Sequence, residues 1–304
     1  MPWWSPAEKH DRPVATAEQV RGCLLGGALA DALAFAHEGR AAGPAPALRM
    51  GSISDDTQLT LATCEAIVEA GGEVRPEVVA AHFVRWHREH GFTGIGAATA
   101  KAVRELSVGG HWALVGRKGE MAAGNGAAIR IAPLAFALDL SSPRARQVLR
   151  DVSRITHHSD EARAGALAIA LTIQEAFVNG WRGRAALFEM LLDRLPDTRV
   201  RDRLLEVREG PISIVEVGAA FGASGYVVEA VPLAIHAYGW AAESDDVMAM
   251  IAQIVEVGGD CDSIGSMAAQ CFGALRGRSA LPPEELRELP ERVSEIADRL
   301  VAAL

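Results

Sequence analysis

The chain has 304 residues, 49% hydrophobic and 23% charged, an ordinary globular composition that excludes a largely disordered polymer. Its net charge of −9 repels polyanions, which excludes a nucleic-acid scaffold and requires that any anionic substrate meet positive charge supplied at the site itself. Cys23, Cys64, Cys261 and Cys271 are scattered without a CxxC pair, which fits a reduced cytoplasmic protein rather than a disulfide framework.

The N-terminus places proline and charge where a secretory leader needs an unbroken apolar run. Residues 1–14 therefore read as a loose tail, and residues 15–304 as a single domain. Alanine, leucine and arginine dominate and period-2 alternation is nowhere sustained, so the expected fold class is all-α. Between Thr57 and Val68, the apolar positions Leu59, Ala62, Ala66 and Ile67 suit a helix. Gly71-Gly72, Gly109-Gly110, Gly124 to Gly126 and Gly258-Gly259 punctuate the helices. The alanine-rich stretch from Ala164 to Ala170 is too short for a membrane span, so no membrane partner is expected. Leu195 to Pro211 is charged and reads as a surface excursion. Val247, Met250, Ile251, Ile254 and Val255 fall on one helical face. So do Val293, Ile296, Ala297, Leu300 and Val301, with Pro290 placed for a first helical turn.

Two short sequences carry chemistry, Ser54-Asp55-Asp56-Thr57 and Gly258-Gly259-Asp260-Cys261-Asp262-Ser263. Each sets two carboxylates beside a hydroxyl. Two unit charges about 4 Å apart repel by about 4 kcal/mol at an effective dielectric of 20, so a partly buried cluster calls for a cation. Oxygen donors without His or Cys favour magnesium, manganese or calcium over zinc. A second reading is local, since Ser54 suits an N-cap and Asp55 and Asp56 suit a first helical turn. An EF-hand does not fit, because its fifth and twelfth positions would be Ile264 and Cys271. A phosphatase-type Asp-x-Asp nucleophile needs a preceding buried strand, whereas Val247 to Val255 has helical period.

These blocks resemble those of the ADP-ribosylglycohydrolases. The similarity runs from about Val20 to Gly277 and keeps the family's order. It begins with Arg21-Gly22-Cys23-Leu24-Leu25-Gly26-Gly27-Ala28-Leu29-Ala30-Asp31-Ala32, continuing to Glu38, and then Ser54-Asp55-Asp56-Thr57. Gly124-Asn125-Gly126-Ala127-Ala128-Ile129-Arg130-Ile131-Ala132-Pro133 and Thr156-His157 follow, then Gly225-Tyr226-Val227-Val228-Glu229 and Gly259-Asp260-Cys261-Asp262-Ser263-Ile264-Gly265. The resemblance implies an orthogonal helical bundle with a central cleft for two divalent cations, Mg2+ or Mn2+. Their ligands would be Ser54, Asp55, Asp56, Asp260, Asp262 and Ser263, with Asp262 as the bridge. Ser54 and Ser263 stand where threonine is usual, and Ala30, Ala34 and Ala36 depart from the small or turn-forming residues of the first block.

The implied activity is hydrolysis of the glycosidic bond between ADP-ribose and a protein side chain, with arginine the favoured acceptor. Serine-linked ADP-ribose and O-acetyl-ADP-ribose are the alternatives within the same chemistry, and a non-catalytic ADP-ribose-binding relative is the alternative outside it. Glu38, seventeen residues before Asp55 in a glycine-flanked segment that reads as a lid, is expected as the acid/base. Asp56 and Asp262 complete the catalytic set. Gly124, Asn125 and Gly126, read as opening a helix at Ala127, are expected to take the pyrophosphate on backbone amides. His157, Gly225 and Tyr226 are the remaining expected substrate contacts, and Asp31 is expected to support the cation site. The partner is an ADP-ribosylated protein or a small ADP-ribose conjugate, met by a monomer.

Overall fold

The computed structural model describes residues 14–210 and 212–304. In chain order its helices are α1 (Ala17–Ala34), α2 (Asp55–Glu69), α3 (Pro76–Glu89), α4 (Ala97–Ser107), α5 (Ala132–Ala137), α6 (Pro143–Arg154), α7 (Asp160–Asn179) and α8 (Arg184–Arg194). The series continues with α9 (Arg199–Glu209), α10 (Ile214–Phe221), α11 (Val227–Ser244), α12 (Val247–Val257), α13 (Cys261–Arg276), α14 (Pro283–Glu288) and α15 (Glu291–Ala303). Two two-residue strands, β1 (Arg117–Lys118) and β2 (His157–His158), pair in parallel. The class is all-α, as the composition predicts. No described helix is long and apolar enough to cross a membrane.

Helix α1 is apolar or small all round, so it is buried from Val20 to Ala34 with only Arg21 reaching outward. Its glycines let it lie directly on α13. A Cβ on Gly22 would stand 2.5 Å from the Gly273 carbonyl, and one on Gly26 would stand 2.6 Å from the Ala269 carbonyl. Each helical glycine costs about 0.5–1 kcal/mol relative to alanine, and the backbone contact it permits offsets that cost. This close packing matters for the site, because α13 starts where the second acidic sequence lies.

The expected faces of α12 and α15 are buried, except that Val301 is only half-buried. Pro290 is the N-cap of α15 rather than a residue of its first turn. The charged stretch from Leu195 is not a surface excursion. It forms α9, which buries Val200, Leu204 and Val207. Those three residues keep a helical spacing, and arginines and acids cover the outward face. The expected tail lies outside the described residues except for Val14, which is exposed. All four cysteines are free and buried.

Candidate active site

The site begins with Asp31, a buried carboxylate inside α1. It accepts hydrogen bonds from the Ser54 amide at 3.0 and 3.1 Å, from the Thr57 amide at 3.3 Å and from the Thr57 hydroxyl. Helix α2 is thereby fixed with its first turn at the end of α1, and Ser54 caps it by accepting the Asp56 amide at 3.2 Å. The capping role read from the sequence is therefore realised. It also delivers Asp55 and Asp56 to one place, the N-terminal turn of α2, where the helix dipole favours negative charge. Asp31→Ala would strand several buried donors, and we expect it to lower unfolding stability by about 2 kcal/mol in a denaturant titration.

The second acidic sequence is set by a turn that only glycine fits. Gly258 and Gly259 have φ of 78° and 70°, and a Cβ on Gly259 would strike the Ala223 carbonyl. Asp260 then takes the N-cap position of α13 without a side-chain capping bond, with Asp262 and Ser263 in the first turn. Glu38 follows the short 3-10 turn after α1. Carboxylate oxygens of Glu38, Asp260 and Asp262 all lie within 4.8 Å of one another. The segment read as a lid is tied down where it begins, since the Gly39 amide donates to Gly259 at 2.7 Å and the Gly259 amide donates to Arg40 at 2.9 Å.

So many acids in one place hold protons at neutral pH. Burial, then Asp260, pushes the Asp262 carboxyl up to about 9, and burial, then Asp31, pushes Asp55 up to about 7. Burial, then Asp262, raises Asp56 well above the usual carboxylate range. Asp260 is raised by burial but held back by the Asn125 side chain, whose Nδ2 donates to it at 2.6 Å, so the pair's proton belongs on Asp262. Glu38 is raised by burial and by Asp260. Buried Asp56 Oδ2 and Asp262 Oδ1 accept no hydrogen bond from the described residues. Hard carboxyl oxygens crowded together, left without donors and holding protons that a cation can displace are what an oxygen-preferring divalent cation requires, so the residues fit one.

These groups line a cleft of about 480 Å³, within the range of small-ligand sites. Glu38, Asp55, Asp56, Asp260, Asp262 and Ser263 form one part, and Gly124, Asn125, Gly126, His157 and Gly225 form another. Ser54 and Tyr226 are not among the lining residues; Ser54 is buried with its Oγ accepting the Asp56 amide, and the Tyr226 hydroxyl is beside Arg199. The glycine loop differs from the sequence reading. Asn125–Ala127 is a 3-10 turn and α5 begins only at Ala132, so no long helix points its dipole from Ala127. The Asn125 amide is also already given to the Gly225 carbonyl at 3.0 Å. The sequence reading missed Arg117 and the uncapped start of α4, Gly96 to Thr99, which also line the cleft. The turn glycines Gly94 and Gly96 were the available signal for α4; an isolated Arg-Lys pair offered none for Arg117.

A profile of the ADP-ribosylglycohydrolase family matches residues 12–304. The chain belongs to that family. A solved structure described as an ADP-ribosylglycohydrolase-related protein complex superposes with a TM-score of 0.72 at 29% identity, covering 94% of this chain and 97% of the other. The ADP-ribosylarginine hydrolase Tri1 of Pseudomonas putida is 28% identical over 95% of this chain and 79% of its own length. The ADP-ribosyl-dinitrogen-reductase glycohydrolase of Rhodospirillum rubrum is 28% identical over 84% of this chain and 80% of its own. As an ADP-ribosylglycohydrolase, the protein is a glycohydrolase enzyme.

Proposed function

We propose that this ADP-ribosylglycohydrolase releases ADP-ribose from a modified protein, with arginine the favoured acceptor, and that it depends on two divalent cations, Mg2+ or Mn2+. The observation that carries the reading is the pair of donorless oxygens, Asp56 Oδ2 and Asp262 Oδ1, on two helix starts that share one cleft. Ser54, Asp55, Asp56, Asp260, Asp262 and Ser263 would hold the cations. When bound, the cations supply Lewis-acid charge for the ribose hydroxyls and a water molecule. Glu38 at the rim of that cluster moves the proton between water and leaving group, and burial together with Asp260 gives it the raised affinity for a proton that the task needs. Arginine as acceptor is supported by the likeness to a relative named an ADP-ribosylarginine hydrolase and by the Gly225-Tyr226-Val227-Val228-Glu229 block.

The positive charge demanded by an anionic diphosphate in a protein of net charge −9 comes from Arg117, with the amides of the first turn of α4 nearby. Arg117→Gln is expected to raise KM for an ADP-ribosyl conjugate by about 10-fold or more, as loss of a charge-assisted hydrogen bond does. Steady-state kinetics at fixed ionic strength measures this. The function itself is tested by following free ADP-ribose released from arginine-, serine- and acetyl-linked conjugates, with and without chelator. Release from the arginine conjugate that stops on chelation is the expected result. Release from none of the three would overturn the reading.

A further inference from the structure

Arg130 is a fully buried cation that forms no ion pair among the described residues. Burial draws its pKa down to about 9 against the opposing pull of Asp55, so a neutral residue of similar shape would fill the space more cheaply. What it does instead is join two parts of the cleft. Its Nη1 donates to the Gly126 carbonyl at 2.7 Å and its Nη2 to Thr156 Oγ1 at 2.8 Å, while the guanidinium lies 4.9 Å from the centre of the Phe83 ring. Thr156 Oγ1 is in turn 2.6 Å from His157 Nδ1.

The direction of this chain follows from hydrogen counting. A guanidinium only donates, so Thr156 Oγ1 accepts from Arg130 and keeps its own hydrogen to give. Thr156 is completely buried, and the one acceptor the structure offers that hydrogen among the described residues is His157 Nδ1. Were Nδ1 protonated, the oxygen would accept twice and its hydrogen would be stranded. His157 Nδ1 is therefore the bare nitrogen, and the ring proton sits on Nε2. That edge of the ring faces the cleft over the loop glycines: a Cβ on Gly124 would lie 3.1 Å from Nε2, and one on Gly126 would lie 2.9 Å from the adjacent ring carbon.

We infer that Arg130 and Thr156 are positioning residues that hold His157 as the Nε2–H tautomer, making it a neutral donor to an oxygen acceptor on the bound substrate. This rests on the proposed reading that the cleft takes an ADP-ribosyl conjugate, whose diphosphate and ribose oxygens supply such acceptors. The arrangement accepts an oxygen anion or hydroxyl and turns away a cationic group, because a neutral N–H has no lone pair to offer it. The same guanidinium that orients His157 also pins the Gly126 carbonyl, so loop and donor are held in one geometry.

Long-range proton–nitrogen correlation spectra of the histidine rings, taken on the protein without substrate, test the tautomer. The expected wild-type pattern for His157 is protonated Nε2 and bare Nδ1. Thr156→Val should mix the two tautomers and raise KM for an arginine-linked ADP-ribose conjugate by about 5- to 10-fold, more than it lowers kcat, as loss of one aligned neutral donor does. Thr156→Ser restores the hydroxyl and should return both readouts to within about twofold of wild type. A wild-type Nδ1–H pattern, or a Thr156→Val enzyme with unchanged KM, overturns the inference. Should no conjugate be hydrolysed, the functional reading fails, and the spectra together with calorimetric binding of free ADP-ribose to the wild type and Thr156→Val still decide the relay.

Discussion

Asp262→Asn is expected to remove about 10³-fold or more of the hydrolytic rate, the scale of the several kcal/mol that a correctly held cation contributes at the transition state. The carboxylate stands where α13 begins, close to both Asp260 and Glu38, and its Oδ1 is buried with no hydrogen bond among the described residues. The amide replacement keeps the shape, so the fold should survive while cation binding fails. Calorimetric titration with Mg2+ and Mn2+ against wild type checks the second part. Binding that is indifferent to the substitution would remove Asp262 from the cation site.

The same acids give a pH signature. Asp55, raised to about 7, and Asp262, raised to about 9, keep protons that the unfolded chain releases near pH 4. Between those limits these two groups bind more protons in the folded state than in the unfolded one, so the stability they contribute to the cation-free protein is fullest at low pH and is lost as pH rises toward 9. A divalent cation displaces those protons and should bind more tightly as pH rises. The expected result is a Tm gain on adding Mn2+ that is larger at about pH 8 than at about pH 5, measured by thermal scans with and without EDTA.

Glu38→Gln is expected to lower kcat by about 10²- to 10⁴-fold, the range of a positioned acid/base, with ADP-ribose affinity largely retained. The side chain is more exposed than the aspartates, but burial and Asp260 still raise its pKa. Its backbone is fixed by the paired amides of Gly39 and Gly259, so the substitution should leave the turn in place. Single-turnover kinetics and calorimetry with ADP-ribose separate the two effects. Near wild-type turnover would exclude Glu38 from the chemistry.

The helical class, the buried faces of α12 and α15 and the two acidic sequences were all legible in the chain, because helix periodicity and short polar motifs are local properties. The motif order also resembled the right family, which the profile match bears out. Where the sequence misled, the deciding forces were not local. Helix α9 looked like a surface stretch because its charges outnumber its apolar residues, yet Val200, Leu204 and Val207 are enough to bury one face. The Gly124–Gly126 loop looked like a helix start, but it makes only the 3-10 turn Asn125–Ala127 and the next helix waits until Ala132, while the Gly225 carbonyl takes the Asn125 backbone amide.

By itself, the sequence determined which residue types could bind a hard cation and that the chain would be helical, since both follow from side-chain chemistry and spacing. Only the tertiary structure decided how they meet. Glycine contacts between α1 and α13, together with Asp31 holding the start of α2, bring residues about 200 apart in the chain to one cleft. Burial there raises the carboxyl pKa values, and a buried arginine reaches across to orient a histidine. Packing distance and desolvation are properties of the assembled core, and no stretch of sequence carries them alone.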